Sequence, residues 1–461
     1  MIRQYFGDNK NKNVLRLRNS NVKCLKKLKL KKRFIFFGQN SGIHGLRHLF
    51  ANGAFIINRL FWLLIVLASA GCLYLLLLSD ERDDLNFTPD SLYLTWTTTF
   101  PAVTVCETYS GRAVQKKLLE KYPNYTQHLS LDFRKYIAAV MYGRGSCSKS
   151  ICVPCGDKVP CDLPIREIFD NIRLKCTELL SNCSFNGMEF PCCDKFHIVD
   201  SEYGPCYSFN TLQSENSDLE SLFRVNRSTG PGRLDFRISG DSEVAVHSPE
   251  ELATLDLDPK FKFEVKLYLE NRVEYFFSVV EIENDKVLAR EDMNVRRCRY
   301  LDELPNDFYK YPVYGYGACQ LSHSTEHVFE HCQCIHPIRL KTYEHLFCNF
   351  TGIHCVVIHE FEKSKLGVDS KPMADDNCLP SCVESELTTV HISRKWVQAA
   401  EPTKGASITI QMIALPTLRF QRNLVTSNLD IVVNVGGMFS LFFGASIFSF
   451  VEIFYLIFRK Q

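Results

Sequence analysis

Two stretches of this 461-residue chain are apolar for longer than a globular core element requires. Residues 55–78 read FIINRLFWLLIVLASAGCLYLLLL, with no charge from Leu60 to Leu78. Roughly 20 apolar residues in a helix cross a bilayer core, so this pattern predicts a membrane helix. It begins too far from Met1 for a cleaved leader. Residues 429–458, LDIVVNVGGMFSLFFGASIFSFVEIFYLIF, predict a second span. This one holds Asp430, Asn434, a glycine pair and Glu452. Polar groups at that depth are costly in hydrocarbon and point to function. A plain anchor has no use for them.

Between the spans the periods are those of a mixed α+β domain. Residues 107–122 and 131–142 space their apolar positions as helices do. Residues 261–269 alternate strictly through Phe261, Phe263, Val265, Leu267 and Leu269, and residues 407–415 alternate through Ile408, Ile410 and Met412. Both predict strands with one buried face. Residues 214–232 are polar and turn-rich, which predicts a loop. No internal repeat interrupts this order.

Composition narrows the class. The chain is 46% hydrophobic and 23% charged, too apolar for disorder. Its mean hydropathy of −0.10 excludes a transporter built mostly of membrane. Net charge is +2 but unevenly spread. Residues 1–59 carry 14 Lys and Arg against Asp8 alone, or +13, leaving −11 on the other 402 residues. The run Lys26, Lys27, Lys29, Lys31, Lys32 and Arg33 places the N-terminus in the cytosol by the positive-inside rule. Arg459 and Lys460 place the C-terminal stub on the same side. The basic run orients the first helix and touches anionic lipid; a nucleic-acid role is incompatible with the spans.

The region between the spans then faces the outside, and two further signals agree. Five glycosylation acceptors, Asn86, Asn124, Asn182, Asn226 and Asn349, all lie there. So do 18 of the 20 cysteines, Cys24 and Cys72 being the exceptions. Disulfides persist in oxidising compartments. The cysteines form two groups: nine from Cys147 to Cys206, joined by Cys106, and eight from Cys298 to Cys382. Cys152 and Cys155 have the two-residue gap of a zinc ligand pair, but no second such pair follows, so a disulfide reading is preferred. No GxSxG, HExxH or P-loop occurs. His44, His323 and His331 stand apart without ligand spacing and read as surface or core histidines. No enzyme, metal site or cofactor is expected.

Ordered motifs then carry a resemblance. Ile43-His44-Gly45 precedes the first span, and FPAVTVC (100–106) follows it. GPCYSFN (204–210), CQC (332–334) and CLPSC (378–382) come next. GGMFSLFFGAS (436–446) with Val451-Glu452 closes the series. Taken in order, from His44 to Tyr455, they resemble the degenerin/epithelial sodium channel family, most of all its pickpocket branch. The resemblance implies two membrane helices flanking a disulfide-rich, hand-like ectodomain of palm, finger and thumb. It implies a homo- or heterotrimeric, amiloride-sensitive, sodium-selective cation channel of the plasma membrane, with other family subunits and the lipid bilayer as partners.

The domains expected are a basic cytosolic N-terminus with the His-Gly motif (1–54), the first helix (55–78), a cysteine-rich ligand or gating domain (79–428), a pore-lining helix (429–458) and a cytosolic stub (459–461). Gly444, Ala445 and Ser446 are the implied selectivity filter, with Gly436, Gly437 and Glu452 along the pore. His44, Gly45, Val433 and Asn434 are implied in gating. The implied disulfides are Cys106–Cys206, Cys183–Cys192, Cys298–Cys382, Cys319–Cys378, Cys332–Cys355 and Cys334–Cys348. Cys147, Cys152, Cys155, Cys161, Cys176 and Cys193 stay open, with fifteen ways of joining them. Relatives often carry two more cysteines where His323 and Asp376 stand here. Ser440 stands where relatives commonly have Gly, Val433 where they usually have a small residue, and Asn434 where acid-sensing relatives often have Asp. Two other readings are a non-conducting, regulatory or chemosensory subunit of such a channel, and a purinergic-type two-span channel. The second lacks FPAVTVC and the GAS element. The gating stimulus is not readable from the sequence.

Overall fold

The computed structural model describes residues 35–36, 38–51, 53, 55–78, 85–90, 93–108, 111–123, 142, 165–215, 217–286, 288–349, 352–357, 378–396, 405–424, 428–446, 448–449, 451–452 and 455. The chain divides into two compact units, Met1–Leu85 with Leu424–Gln461, and Asn86–Asn423.

The larger unit is built on strands, some of which alternate more and less buried positions while others are buried almost throughout. They are β1 (Leu85–Asp90), β2 (Ala102–Glu107), β3 (Leu180–Phe185), β4 (Met188–Phe190), β5 (Phe196–Ser201), β6 (Gly204–Phe209), β7 (Arg233–Ile238), β8 (Ser242–His247), β9 (Lys262–Val265), β10 (Glu270–Asn284), β11 (Glu384–Trp396), β12 (Ala406–Met412) and β13 (Arg419–Leu424). An eight-stranded sheet runs β1-β13-β10-β12-β7-β3-β4, with β11 on β10. A five-stranded sheet runs β9-β8-β2-β6-β5. The 15-residue β10 organises the larger sheet. Antiparallel β11 lies along it, while parallel β12 takes Arg272–Phe277 and parallel β13 takes Glu281–Asn284.

Both sheets share one core. Phe100 is fully buried and meets Phe185, Phe209 and Phe277 edge-on, with ring centroids 5.1, 6.3 and 5.6 Å away. Such aromatic pairs are worth about 0.5–1.5 kcal/mol beyond area burial. Among the described residues the longer helices of this unit are α3 (Gly111–Lys121), α4 (Ile165–Ile172) and α5 (Tyr316–Cys332). Helix α4 buries Ile165, Ile168, Phe169 and Ile172 on one face.

Several expected elements are corrected. The helix expected over 107–122 begins only at Gly111, because Glu107 pairs with Ser242 at the end of β2 and its carboxylate accepts the Leu174 N–H at 2.8 Å. The strand expected over 261–269 stops at Val265, and the chain turns with Leu269 N–H on the Lys266 carbonyl. The loop expected over 214–232 contains Arg224–Val225, a short strand paired with Thr98–Thr99. The helix expected over 131–142 lies outside the described residues apart from Tyr142.

Seven disulfides lie among the described residues. Six join Cys106–Cys206, Cys183–Cys192, Cys298–Cys382, Cys319–Cys378, Cys332–Cys355 and Cys334–Cys348. The seventh, Cys176–Cys193, uses two of the cysteines left open above. Adjacent Cys192 and Cys193 therefore staple to different segments, one into β3 and one to the turn before it. None of the seven joins the 106–206 group to the 298–382 group. Cys147, Cys152, Cys155 and Cys161 lie outside the described residues.

In the smaller unit a short helix, α1 (Leu46–Leu49), precedes α2 (Ile56–Leu78). Among the described residues α2 alone is long and apolar enough to cross a membrane, over Ile56–Leu76. The second apolar stretch is not one continuous helix. It forms α6 (Asn428–Phe443), breaks at 444–446, and resumes as helical turns at 448–449 and 451–452.

Candidate pore and gating segment

Helix α6 ends because Gly444 adopts a left-handed conformation, φ +58°. Its N–H still donates to the Ser440 carbonyl at 2.8 Å, the single bond of a left-handed helix cap. That leaves the Phe443 carbonyl without a partner inside the helix. A backbone polar group buried unpaired is expensive, and here the His44 N–H supplies the bond at 2.9 Å. The His44 ring lies against Gly444 so closely that a Cβ there would overlap it. Both conditions, the dihedral and the space, require glycine at 444.

The chain is helical again at 448–449. Ser446 Oγ accepts the Ser449 N–H at 3.4 Å, and Ser449 Oγ accepts the Ser446 N–H at 3.1 Å. This reciprocal pairing has the form of a capping box, with serine in the place of the usual Glu or Gln. Ala445 between them is buried and Ser446 is exposed.

The His-Gly segment is held from its other side by the first long helix. Gly45 has φ +88°, and a Cβ there would come within 2.9 Å of Val66 in α2. His48 stacks on Trp62 with ring centroids 4.4 Å apart. Gln39 Nε2 donates to the Phe50 carbonyl at 2.8 Å and closes the segment on itself. Glu452 lies just past the break, its Oε2 about 3.1 Å from where a Gly42 Cβ would stand. The segment around His44 thus touches both flanks of the 444–446 break and α2.

The remaining candidates lie elsewhere on α6. A Cβ on Gly436 or Gly437 would meet nothing within 4 Å. Val433 is 61% exposed, and Asn434 is exposed too. The structure brings His44, Gly444 and Glu452 to one segment and leaves Gly436, Gly437, Val433 and Asn434 on open faces of a single chain. Sequence reasoning missed Ser449, Gly42 and Trp62. Ser446 followed at three residues by Ser449, just after a glycine, was the available signal for the first.

A family model described as "Amiloride-sensitive sodium channel" matches residues 37–456. The chain belongs to that family. Pickpocket protein 19 of Drosophila melanogaster is 22% identical to this amiloride-sensitive sodium channel family member over 464 residues, covering 91% of this chain and 89% of that protein. Human acid-sensing ion channel 2 is 25% identical over 315 residues, 65% of this chain and 59% of its own length. Sodium channel protein Nach of Drosophila melanogaster is 24% identical over 341 residues, 65% and 62% of the two chains. The chain therefore spans about three fifths of the last two proteins and most of the first.

In this family member three glycosylation acceptors, Asn86, Asn182 and Asn349, are exposed in the larger unit. Asn226 is half-buried, and its Oδ1 accepts the Ser228 N–H at 2.9 Å and the Thr229 N–H at 3.1 Å. Asn124 lies outside the described residues.

Proposed function

We propose that this family member is a subunit of a trimeric, sodium-selective plasma-membrane channel whose constriction is Gly444-Ala445-Ser446. Residues 429–458 form its second crossing, interrupted at that constriction, and residues 79–428 face the outside. Both termini are cytosolic. The observation that carries the reading is the break at Gly444. Interrupted backbone at membrane depth is tolerated only where protein buries it or a water-filled cavity meets it. Carbonyls released there can replace part of a cation's hydration shell. The open faces at Gly436 and Gly437 support close approach by neighbouring helices, since small residues allow it. Glu452 lies beyond the break, where an intramembrane carboxylate lines a cation path.

His44 and Gly45 act as the gating contact in this reading. The His44 N–H bond to the Phe443 carbonyl ties the N-terminal segment to the residue that precedes the constriction. Movement of α2 is then felt at Gly444. Val433 and Asn434, exposed about three turns before the break, tune gating from the same helix.

The test is Ser446→Phe expressed alone and with candidate family partners, followed by current recording in sodium and in potassium. The expected outcome is lost conduction or an altered sodium preference at normal surface abundance. An unchanged sodium-over-potassium preference rejects the constriction assignment.

A further inference from the structure

A cleft of about 200 Å³ opens in the larger unit where α4, strands β5 and β6 and the Lys341 segment meet. Its volume lies below the roughly 300–1,000 Å³ of pockets for drug-sized ligands, so it suits a molecule of a few carbon atoms. One wall is apolar and is made by Leu174, Leu179 and Ile198. Ile198, on β5, is 58% exposed. The rest of the lining is unequal in charge: Arg166, Arg173, Lys175 and Lys341 stand against Glu107 and Asp170.

Most of these charges are already engaged. Asp170 accepts from Arg166 Nε at 3.1 Å. Arg166 Nη1 also donates to the Pro337 and Arg339 carbonyls at 3.0 and 2.9 Å. Glu107 accepts the Leu174 N–H at 2.8 Å, and burial raises its pKa, which weakens its negative charge. Arg173 is buried and donates to the Tyr203 and Pro205 carbonyls at 2.6 and 3.0 Å. Carbonyls satisfy its N–H groups and leave its charge in place. Lys175 and Lys341 remain, both exposed, and among the described residues neither has an ion-pair partner. Their backbones are nonetheless fixed. The Lys175 N–H donates to Glu178 Oε2 at 3.1 Å, beside the Cys176–Cys193 linkage, and the Lys341 N–H donates to Asp200 Oδ2 at 3.2 Å. A rim anchored in this way has less order to lose when a ligand arrives.

We propose that this cleft binds a small organic carboxylate, its charge held by Lys175 and Lys341 and its carbon skeleton laid on Leu174, Leu179 and Ile198. A lysine ammonium is a compact point charge on a flexible stem and adapts to one anionic group. Hydrogen bonds from such a charge are roughly twice as strong as neutral ones. The apolar wall adds a second requirement, because only a ligand with carbon surface gains by covering it. An inorganic anion meets the first requirement alone, and an uncharged ring the second alone. The site lies within the Asn86–Asn423 unit and is independent of the pore reading.

The experiment is equilibrium dialysis of radiolabelled benzoate against the detergent-solubilised full chain, with detergent in both chambers. The variants are the Lys175→Gln, Lys341→Gln double, Ile198→Asp, and Lys286→Gln as a lysine outside the cleft. Intact Cys106–Cys206 and Cys176–Cys193 linkages, mapped without reduction, certify that each variant has folded. The expected result is saturable binding that weakens at least tenfold in the double variant and in Ile198→Asp and is unchanged in Lys286→Gln. Unlabelled benzoate should displace the label, whereas equal concentrations of benzyl alcohol or inorganic phosphate should not. Four results overturn the proposal. They are no saturable binding, binding unaffected in the double variant or in Ile198→Asp, displacement by phosphate as effective as by benzoate, and displacement by benzyl alcohol as effective as by benzoate. The third would leave a plain anion site and the fourth a plain apolar one.

Discussion

Phe100 and Phe448 are the same side chain in opposite surroundings. Phe100 is 0% exposed among Phe185, Phe209 and Phe277, whereas Phe448 is 83% exposed in the smaller unit. The contrast extends to the regions around them. In the larger unit the aromatic and branched residues of two sheets turn inward to one core. In the smaller unit Ile57 is 81% exposed and Leu441 80% exposed on helices that are almost wholly apolar. Burying an apolar side chain of this size is worth about 1.5–3 kcal/mol. The larger unit takes that stabilisation from its own fold. The helices of the smaller unit need an apolar surround from outside the chain, and their specific internal contacts are few and concentrated at the His-Gly segment.

That difference can be broken first at its strongest point. Phe100→Ala should destabilise the larger unit by about 3–5 kcal/mol, the usual cost of a large core truncation. Phe448→Ala should leave it untouched. Limited proteolysis and surface abundance of the two variants read the contrast directly, and equal damage from both would erase it.

Acid sharpens the same comparison at a second buried group. His247 is fully enclosed, with Nε2 on Thr104 Oγ1 at 2.7 Å and Nδ1 on the Ser248 carbonyl at 2.9 Å. Burial pushes its pKa down to about 4. The unfolded chain then binds this proton at higher pH than the folded one. The stabilisation is fully present above about pH 6.5 and is lost as pH falls toward 4, by at most about 3 kcal/mol. Burial raises Glu107 and Asp200 instead, so these two act in the opposite direction. Comparison with His247→Gln isolates the histidine. Its unfolding midpoint should fall less than that of the wild type between pH 6.5 and pH 4.5.

In the smaller unit the expected costs to folding are lower and the functional effects local. Gly444→Ala forces a Cβ into a left-handed residue, about 1–2 kcal/mol, and into the His44 ring. Surface abundance should stay near normal while macroscopic current falls severely. Restored current in a Gly444→Ala, His44→Gly double variant would locate the conflict at that contact. Gly45→Ser should cost less than Gly444→Ala, since it bears the same left-handed penalty but its Cβ presses on the Val66 side chain at 2.9 Å and does not overlap a ring. It should change single-channel open probability without changing conductance. Unaltered gating would remove the His-Gly segment from the mechanism.

Much of the larger plan is legible in the order of residues alone. An uncharged apolar run from Leu60 to Leu78 needs no tertiary information to be a long helix, and β12 follows the alternation of Ile408, Ile410 and Met412. Elements of ambiguous period went to the partner that bound them. Residues 107–110 have helical spacing, yet Glu107 joined β2 because β8 offered a ladder and Leu174 offered its N–H to the carboxylate. Phe261–Leu269 alternates throughout, yet the strand ends at Val265 where its pairing with Ser242 ends. The seventh disulfide, Cys176–Cys193, was one of fifteen arithmetic possibilities until two helical turns brought those sulfurs together.

The sequence by itself determined what each segment is: two long apolar stretches, a cysteine-rich domain between them, and the motifs that mark the family. Those follow from composition and short-range period, which every stretch of chain carries locally. Only the tertiary structure decided which distant residues meet. His44 and Gly444 lie 400 positions apart in the chain, and neither residue's chemistry names the other. Their contact arises because a helix that ends in a left-handed glycine leaves the Phe443 carbonyl seeking a donor, and the segment before α1 brings the His44 N–H to it.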